Sequence, residues 1–74
     1  MAYEYPSVVG VLRLTRANGR WKLEFGGRRG GGWRSPDLAV RAVARHQSGL
    51  SAWDCRRVHA PEDLLDWRPL EDSL

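Results

Sequence analysis

Cys55, His46 and His59 carry the side chains most often used for chemistry. As zinc ligands they would need motif spacing, and neither C-x-x-C nor H-x-x-x-H occurs, so no metal site is expected. A Cys55–histidine pair would suit nucleophilic catalysis, with the imidazole taking the thiol proton. Such a pair also needs an orienting group and an oxyanion hole, and the sequence marks neither. The acids Glu62, Asp63 and Asp66 follow Pro61, an arrangement that suits a helix start and solubility better than acid–base catalysis. The chain reads as a non-enzyme without cofactor.

Residues 26–32, Gly-Gly-Arg-Arg-Gly-Gly-Gly, hold five of the eight glycines. A phosphate-binding P-loop needs G-x-x-x-x-G-K-[ST], whose lysine and hydroxyl reach phosphate and metal. Here the glycines run into Trp33-Arg34-Ser35. The dinucleotide fingerprint fails too, because its βαβ unit and following acid do not fit in the chain. The stretch is therefore expected to be a strand-to-strand loop with Arg28 and Arg29 at an exposed, mobile tip, and contact of these two arginines with a partner is the second reading.

Charge is distributed unevenly. Residues 1–50 carry nine Arg or Lys against three acids, and residues 51–74 carry three Arg against six acids. Eleven of the twelve bases are arginine, whose planar guanidinium binds carboxylate or phosphate bidentately. The candidate partner-binding residues are Arg13, Arg16, Arg20, Lys22, Arg28 and Arg29, with Trp33 and Trp53 as the tryptophans left exposed. The other two, Trp21 and Trp67, are expected in the core.

These residues are held by a small α+β fold. Asn18-Gly19 is the strongest hairpin signal, because a type I′ turn needs positive φ at both central positions. With that turn, Arg16 faces Trp21, Leu14 faces Leu23 and Leu12 faces Phe25 on one side. Thr15 then faces Lys22 and Arg13 faces Glu24 on the other, so an apolar and a charged face separate cleanly. Trp33-Arg34 is long enough only for a short third strand. Ser35-Pro36-Asp37 starts a helix, with cap, first-turn proline and acid in order. That helix is expected to run to about Ser48 and end on Gly49, with Leu38, Ala39, Ala42, Val43 and His46 on one face. Asp37 is placed to pair with Arg41.

The expected single domain comprises a ββ(β)α core over 7–50, an extension packed on it over 51–68, and a frayed tail over 69–74. In the extension, residues 55–58 could add a strand, and Leu64, Leu65 and Trp67 fold back onto the core. A hairpin with a short third strand leaves an unpaired edge, which suggests a homodimer.

Seventy-four residues are one domain near the lower limit for a fold without disulfide or metal. A lone cysteine cannot form an internal disulfide, and neither a signal peptide nor an apolar run of about 20 residues is visible. A soluble protein of the bacterial host cytoplasm, away from membranes, is the expectation.

Gly19 to His46 contains G-R-W-K-L-E-F, a glycine turn, W-R-S-P and A-x-x-A-V-A-R-H. That pattern resembles the AP2-like and integrase N-terminal-like DNA-binding domains, which set a three-stranded sheet on one helix and use the exposed sheet face on DNA. His46 to Trp67, with H-x-S-G-L-x-x-W-D and A-P-E-D-L-L-D-W, looks like small uncharacterised bacterial and phage proteins. In size and lack of catalytic residues the chain resembles the phage-encoded anti-CRISPR inhibitors, which dock on a defence complex and block its nucleic-acid access. The resemblances imply a non-catalytic phage or mobile-element protein that docks on a protein or nucleoprotein complex such as a CRISPR effector. The alternative they imply is a DNA- or RNA-binding module using the basic hairpin and the Gly-Arg stretch.

Overall fold

The computed structural model describes residues 2–70. They form strands β1 (Ala2–Ser7), β2 (Gly10–Ala17), β3 (Arg20–Phe25) and β4 (Arg28–Trp33), then helices α1 (Pro36–Ala44) and α2 (Ser51–Asp54). A 3-10 turn (Leu64–Asp66) and strand β5 (Arg68–Leu70) follow. The strands make one antiparallel sheet in the order β4-β3-β2-β1-β5, so the fold is α+β as the sequence predicts.

The central hairpin follows its turn chemistry. Asn18 and Gly19 have φ of 53° and 75°, and Leu14↔Leu23, Arg16↔Trp21, Thr15↔Lys22 and Arg13↔Glu24 are in register. Leu12, Leu14, Trp21, Leu23 and Phe25 are buried.

The sheet is wider than expected. Residues 26–32 are not one loop: Gly26 and Gly27, with φ of 59° and 78°, form a second two-residue turn, and β4 begins at Arg28. Arg28 and Arg29 are thus strand residues fixed by pairing with Phe25 and Glu24, not the tip of a mobile loop. The strand expected as a short third one is β4, a full six residues with a register shift opposite Trp21–Leu23, where Gly31 has φ of 86°. A Cβ on Gly31 would fall inside the indole ring of Trp33, so only glycine fits this bulge.

Two further strands lie on the other side. β1 pairs with β2 through a Val8-Val9 turn, and β5 pairs with β1. Pro69 and Leu70 are therefore in the sheet rather than in a frayed tail, while 71–74 lie outside the described residues. The strand expected at 55–58 is absent; that stretch is irregular chain.

Helix α1 covers one face of the sheet. Ser35 Oγ accepts from the Leu38 N–H at 3.3 Å, capping the helix with Pro36 in its first turn. It stops at Ala44, four residues short of the expected end, and Gly49 is not its cap. His46 takes the left-handed position instead, with φ of 56°. Its N–H donates to Val43 O at 3.1 Å and that of Gln47 to Ala42 O at 2.8 Å, the pair of bonds that defines a Schellman end. The buried face is Ala39, Val40 and Val43; Leu38 is exposed. α1 packs on β3 and β4, where its small residues permit close approach. Trp53, Trp67, Leu50 and Ala60 complete the core. Leu64 packs against that core as expected, whereas Leu65 points to solvent.

Candidate binding face

Alternation leaves the sheet face opposite α1 to the residues that neighbour the buried ones along each strand. Arg29, Glu24, Arg13, Glu4 and Arg68 are successive cross-strand partners there, one from each strand. They make a single row of alternating sign across the whole sheet. Arg29 bridges Glu24 at 3.2 Å, and Arg13 and Arg68 bridge Glu4 at 3.7 and 3.5 Å. Thr15 Oγ1 adds a hydrogen bond to Glu24 at 3.3 Å. The Glu4 side chain is only 18% exposed, whereas that of Arg13 is 51% and that of Arg68 is 68% exposed. The carboxylates sit low and the guanidinium groups stand above them. Strands lie about 4.8 Å apart, so three arginines on alternate strands are spaced by about 10 Å and oriented from below.

At the Gly26–Gly27 end of the sheet lies an open depression of about 540 Å³, lined by Val11, Arg13, Glu24 and Arg29 from this face and by Phe25 and Arg28, register partners on the α1 side, with the turn glycines. Three arginines and one glutamate contribute to its lining. Arg13 and Arg29 have carboxylate partners; Arg28 has no ion pair among the described residues.

The predicted site residues separate into three groups. Arg13, Arg28 and Arg29 all line the depression, Arg28 from the α1 side. Arg16 and Arg20 are exposed near the Asn18-Gly19 turn at the far end of the hairpin. Lys22 lies between the ends, on the solvent face, and its Nζ donates to Gly31 O at 3.3 Å. The tryptophan expectation needs correction. Trp53 is fully buried, its Nε1 donating to Val43 O at 2.9 Å, and cannot meet a partner; Trp33 is half-buried over Gly31. Sequence reasoning missed Glu4 and Arg68. A Glu–Arg pairing signal exists for Glu4 once β1 is recognised, but nothing local marks Arg68, which reaches the row from the other end of the chain.

Cys55 is exposed and His46 is bound to backbone: its Nε2 lies 2.9 Å from Val58 O and its Nδ1 3.4 Å from Trp53 O. Among the described residues no three His, Cys, Asp or Glu side chains gather as a metal site would require, and no helix is long and apolar enough to cross a membrane. Asp37 and Arg41 do not form the expected pair; on the helical side the ion pair is Arg45 with Glu62 at 3.5 Å.

No protein-family model matches the chain, and no curated protein or solved structure matches it either.

Proposed function

We propose that the protein is a non-catalytic binding module that docks through the solvent face of its sheet on a protein or nucleoprotein complex and blocks nucleic-acid access to it. The alternating row is the observation that carries this reading. A polyanion laid across the sheet would meet Glu24 and Glu4 between the arginines, whereas a folded protein can offer both signs in register. Width argues the same way. Five strands span about 19 Å, more than the roughly 12 Å of a DNA major groove, so the face cannot enter that groove flat. A CRISPR effector is the first target to try, on the likeness of kind to small inhibitors of such complexes.

Direct nucleic-acid binding is the second reading. It rests on Arg16, Arg20, Lys22 and Arg28, which have no carboxylate partner among the described residues.

Affinity capture of the tagged protein with a purified CRISPR effector, with and without nuclease treatment, separates the two. The expected result is nuclease-resistant capture that Arg13→Glu/Arg29→Glu abolishes and Arg41→Ala on the helical side leaves intact. Capture that vanishes with nuclease supports the second reading. Capture indifferent to Arg13 and Arg29 overturns the sheet face as the docking surface.

A further inference from the structure

The depression beside the Gly26–Gly27 turn, at the end of the sheet, combines features that the rest of the solvent face lacks. Three arginines and one glutamate line it, and Arg28 contributes a guanidinium that no carboxylate of the described residues neutralises. Its wall is apolar on one side, formed by Val11 and the edge of Phe25. Val11 is 49% exposed, and Val8, at the tip of the same β1–β2 hairpin, is 92% exposed. Gly10 brings that hairpin against the depression, because a Cβ built on it would lie 3.3 Å from the Phe25 ring. Two of the four large apolar side chains exposed among the described residues thus stand at the end of the sheet whose depression three arginines line.

We infer that this end of the sheet is the anchor point of the docking face, and that it takes an acidic segment of a protein partner in which carboxylates alternate with aliphatic side chains. The inference rests on the docking reading above and names its partner chemistry. Arginine is enriched among interface anchors, where a few residues carry most of the affinity, and the exposed valines beside it offer apolar area for a partner to cover. A carboxylate can accept a bidentate pair of hydrogen bonds from Arg28, which has no ion pair among the described residues, while an aliphatic neighbour covers Val11. Inorganic phosphate fits less well, since Glu24 lines the same space and repels a dianion, and since phosphate leaves Val11 and Val8 wet.

The register rules out a second copy as the occupant in the simplest arrangement. The row reads plus, minus, plus, minus, plus from either end, so a two-fold axis through its centre would set arginine on arginine and glutamate on glutamate.

The test is a titration of the isotope-labelled full chain, followed by amide NMR, with the acetylated and amidated peptide Asp-Leu-Glu-Asp-Leu-Glu at about 150 mM salt. Parallel arms use the Asn/Gln version of the peptide, inorganic phosphate and a short duplex DNA. Saturable shifts centred on Gly26, Gly27 and Arg28, weakened about tenfold by Arg28→Gln and by Val11→Ser and absent with the Asn/Gln peptide, support the inference. Both substituted side chains are exposed, and an unchanged amide spectrum elsewhere shows that each variant folds. Shifts centred on Arg41 and Arg45, or no saturation, overturn the inference while leaving capture by the sheet row standing as a separate result. Tighter saturation by duplex DNA than by peptide overturns the inference and the docking reading together, and tighter saturation by phosphate overturns the inference alone.

Discussion

The imidazole of His46 lies on the indole of Trp53, with ring centroids 5.0 Å apart and planes 16° from parallel. One residue thereby closes α1 and ties two later segments to it. Its backbone occupies the left-handed position that glycine usually fills, at a cost of about 1–2 kcal/mol. Its ring offsets that cost through the stack and through the contact with Val58 O. His46→Ala keeps the strain and loses the ring contacts, so it should lower stability by about 2–3 kcal/mol. His46→Gly loses the contacts but relieves the strain, and should cost about 1 kcal/mol less than alanine. Urea unfolding followed by tryptophan fluorescence measures both, and alanine as mild as glycine would show that φ at this position is unimportant.

The two most deeply buried indoles differ in one bond. Trp53 Nε1 donates to Val43 O, a carbonyl of the last turn of α1, whereas Trp67 Nε1 is buried with no hydrogen-bond partner among the described residues. Replacing Trp53 by Phe removes packing and a satisfied donor and leaves Val43 O with the His46 N–H as its remaining partner. Replacing Trp67 by Phe removes packing and an unsatisfied donor, which returns about 1–3 kcal/mol of desolvation. Trp67→Phe should therefore be the milder substitution by about 1–2 kcal/mol in the same unfolding measurement. Equal losses would mean that Trp67 Nε1 has a partner in solution.

The glycines of β4 predict a graded series. At Gly31 the positive φ and the Trp33 ring both oppose a side chain, so alanine there should cost at least about 2 kcal/mol. At Gly30 a Cβ would come within 2.9 Å of a Leu50 methyl, a flexible group that can turn aside, and about 1 kcal/mol is expected. Nothing stands within 4 Å of a Cβ at Gly32, where alanine should be neutral or slightly stabilising. Thermal unfolding of the three variants gives the order, and a Gly32 variant as damaged as that of Gly31 would refute the bulge geometry.

That series also shows why β4 was hard to read in the sequence while the β2–β3 hairpin was not. Asn18-Gly19 declares its turn, and the strands beside it alternate apolar and charged residues, so turn and pattern agree on one register. In β4 glycine occupies three of six positions, and without side chains no alternation can show. The readable signals were Gly26-Gly27 as a two-residue turn and the charge match it creates between Glu24 and Arg29. β1 was hidden because its turn is Val8-Val9, without glycine, asparagine or aspartate, and β5 because three residues carry no period. The candidate face was legible by halves for the same reason. Arg13, Glu24, Arg28 and Arg29 follow from two hairpin turns, whereas Glu4 and Arg68 enter the row only through tertiary pairing.

Association through the β4 edge, which the sequence suggests, meets two obstacles. The Gly31 bulge breaks the flat run of backbone groups, and Lys22 Nζ holds the Gly31 carbonyl at 3.3 Å. Bulges, and charged side chains that reach an edge as Lys22 reaches it from β3, keep sheets from pairing edge to edge. Light scattering at tens of micromolar should give a monomer mass near 8.4 kDa. Lys22→Val, which frees that carbonyl and adds an apolar neighbour, should raise the average mass. A dimer of the unmodified chain would show that the edge is open.

Nucleic-acid affinity gives the sharpest numerical contrast. Of the seven bases on and around the sheet, Arg13, Arg29 and Arg68 are engaged by Glu4 and Glu24. Transferring any of them to a phosphate means giving up an existing ion pair, so its net gain is small. Arg16, Arg20, Lys22 and Arg28 are left to act as full phosphate contacts. Each neutralised phosphate contributes about −0.9 to the slope of log affinity against log salt, so four predict a slope of about −3.6. Between about 50 and 200 mM salt the affinity for random duplex DNA should then fall about a hundredfold, from a weak starting value to one outside the working range. Glu4→Gln and Glu24→Gln together should release three arginines and steepen the slope toward about −6. Fluorescence anisotropy with a labelled duplex measures both slopes. A slope of −6 in the unmodified protein would mean that the row opens to meet phosphates, and that the alternating ion pairs do not keep this face from binding a polyanion.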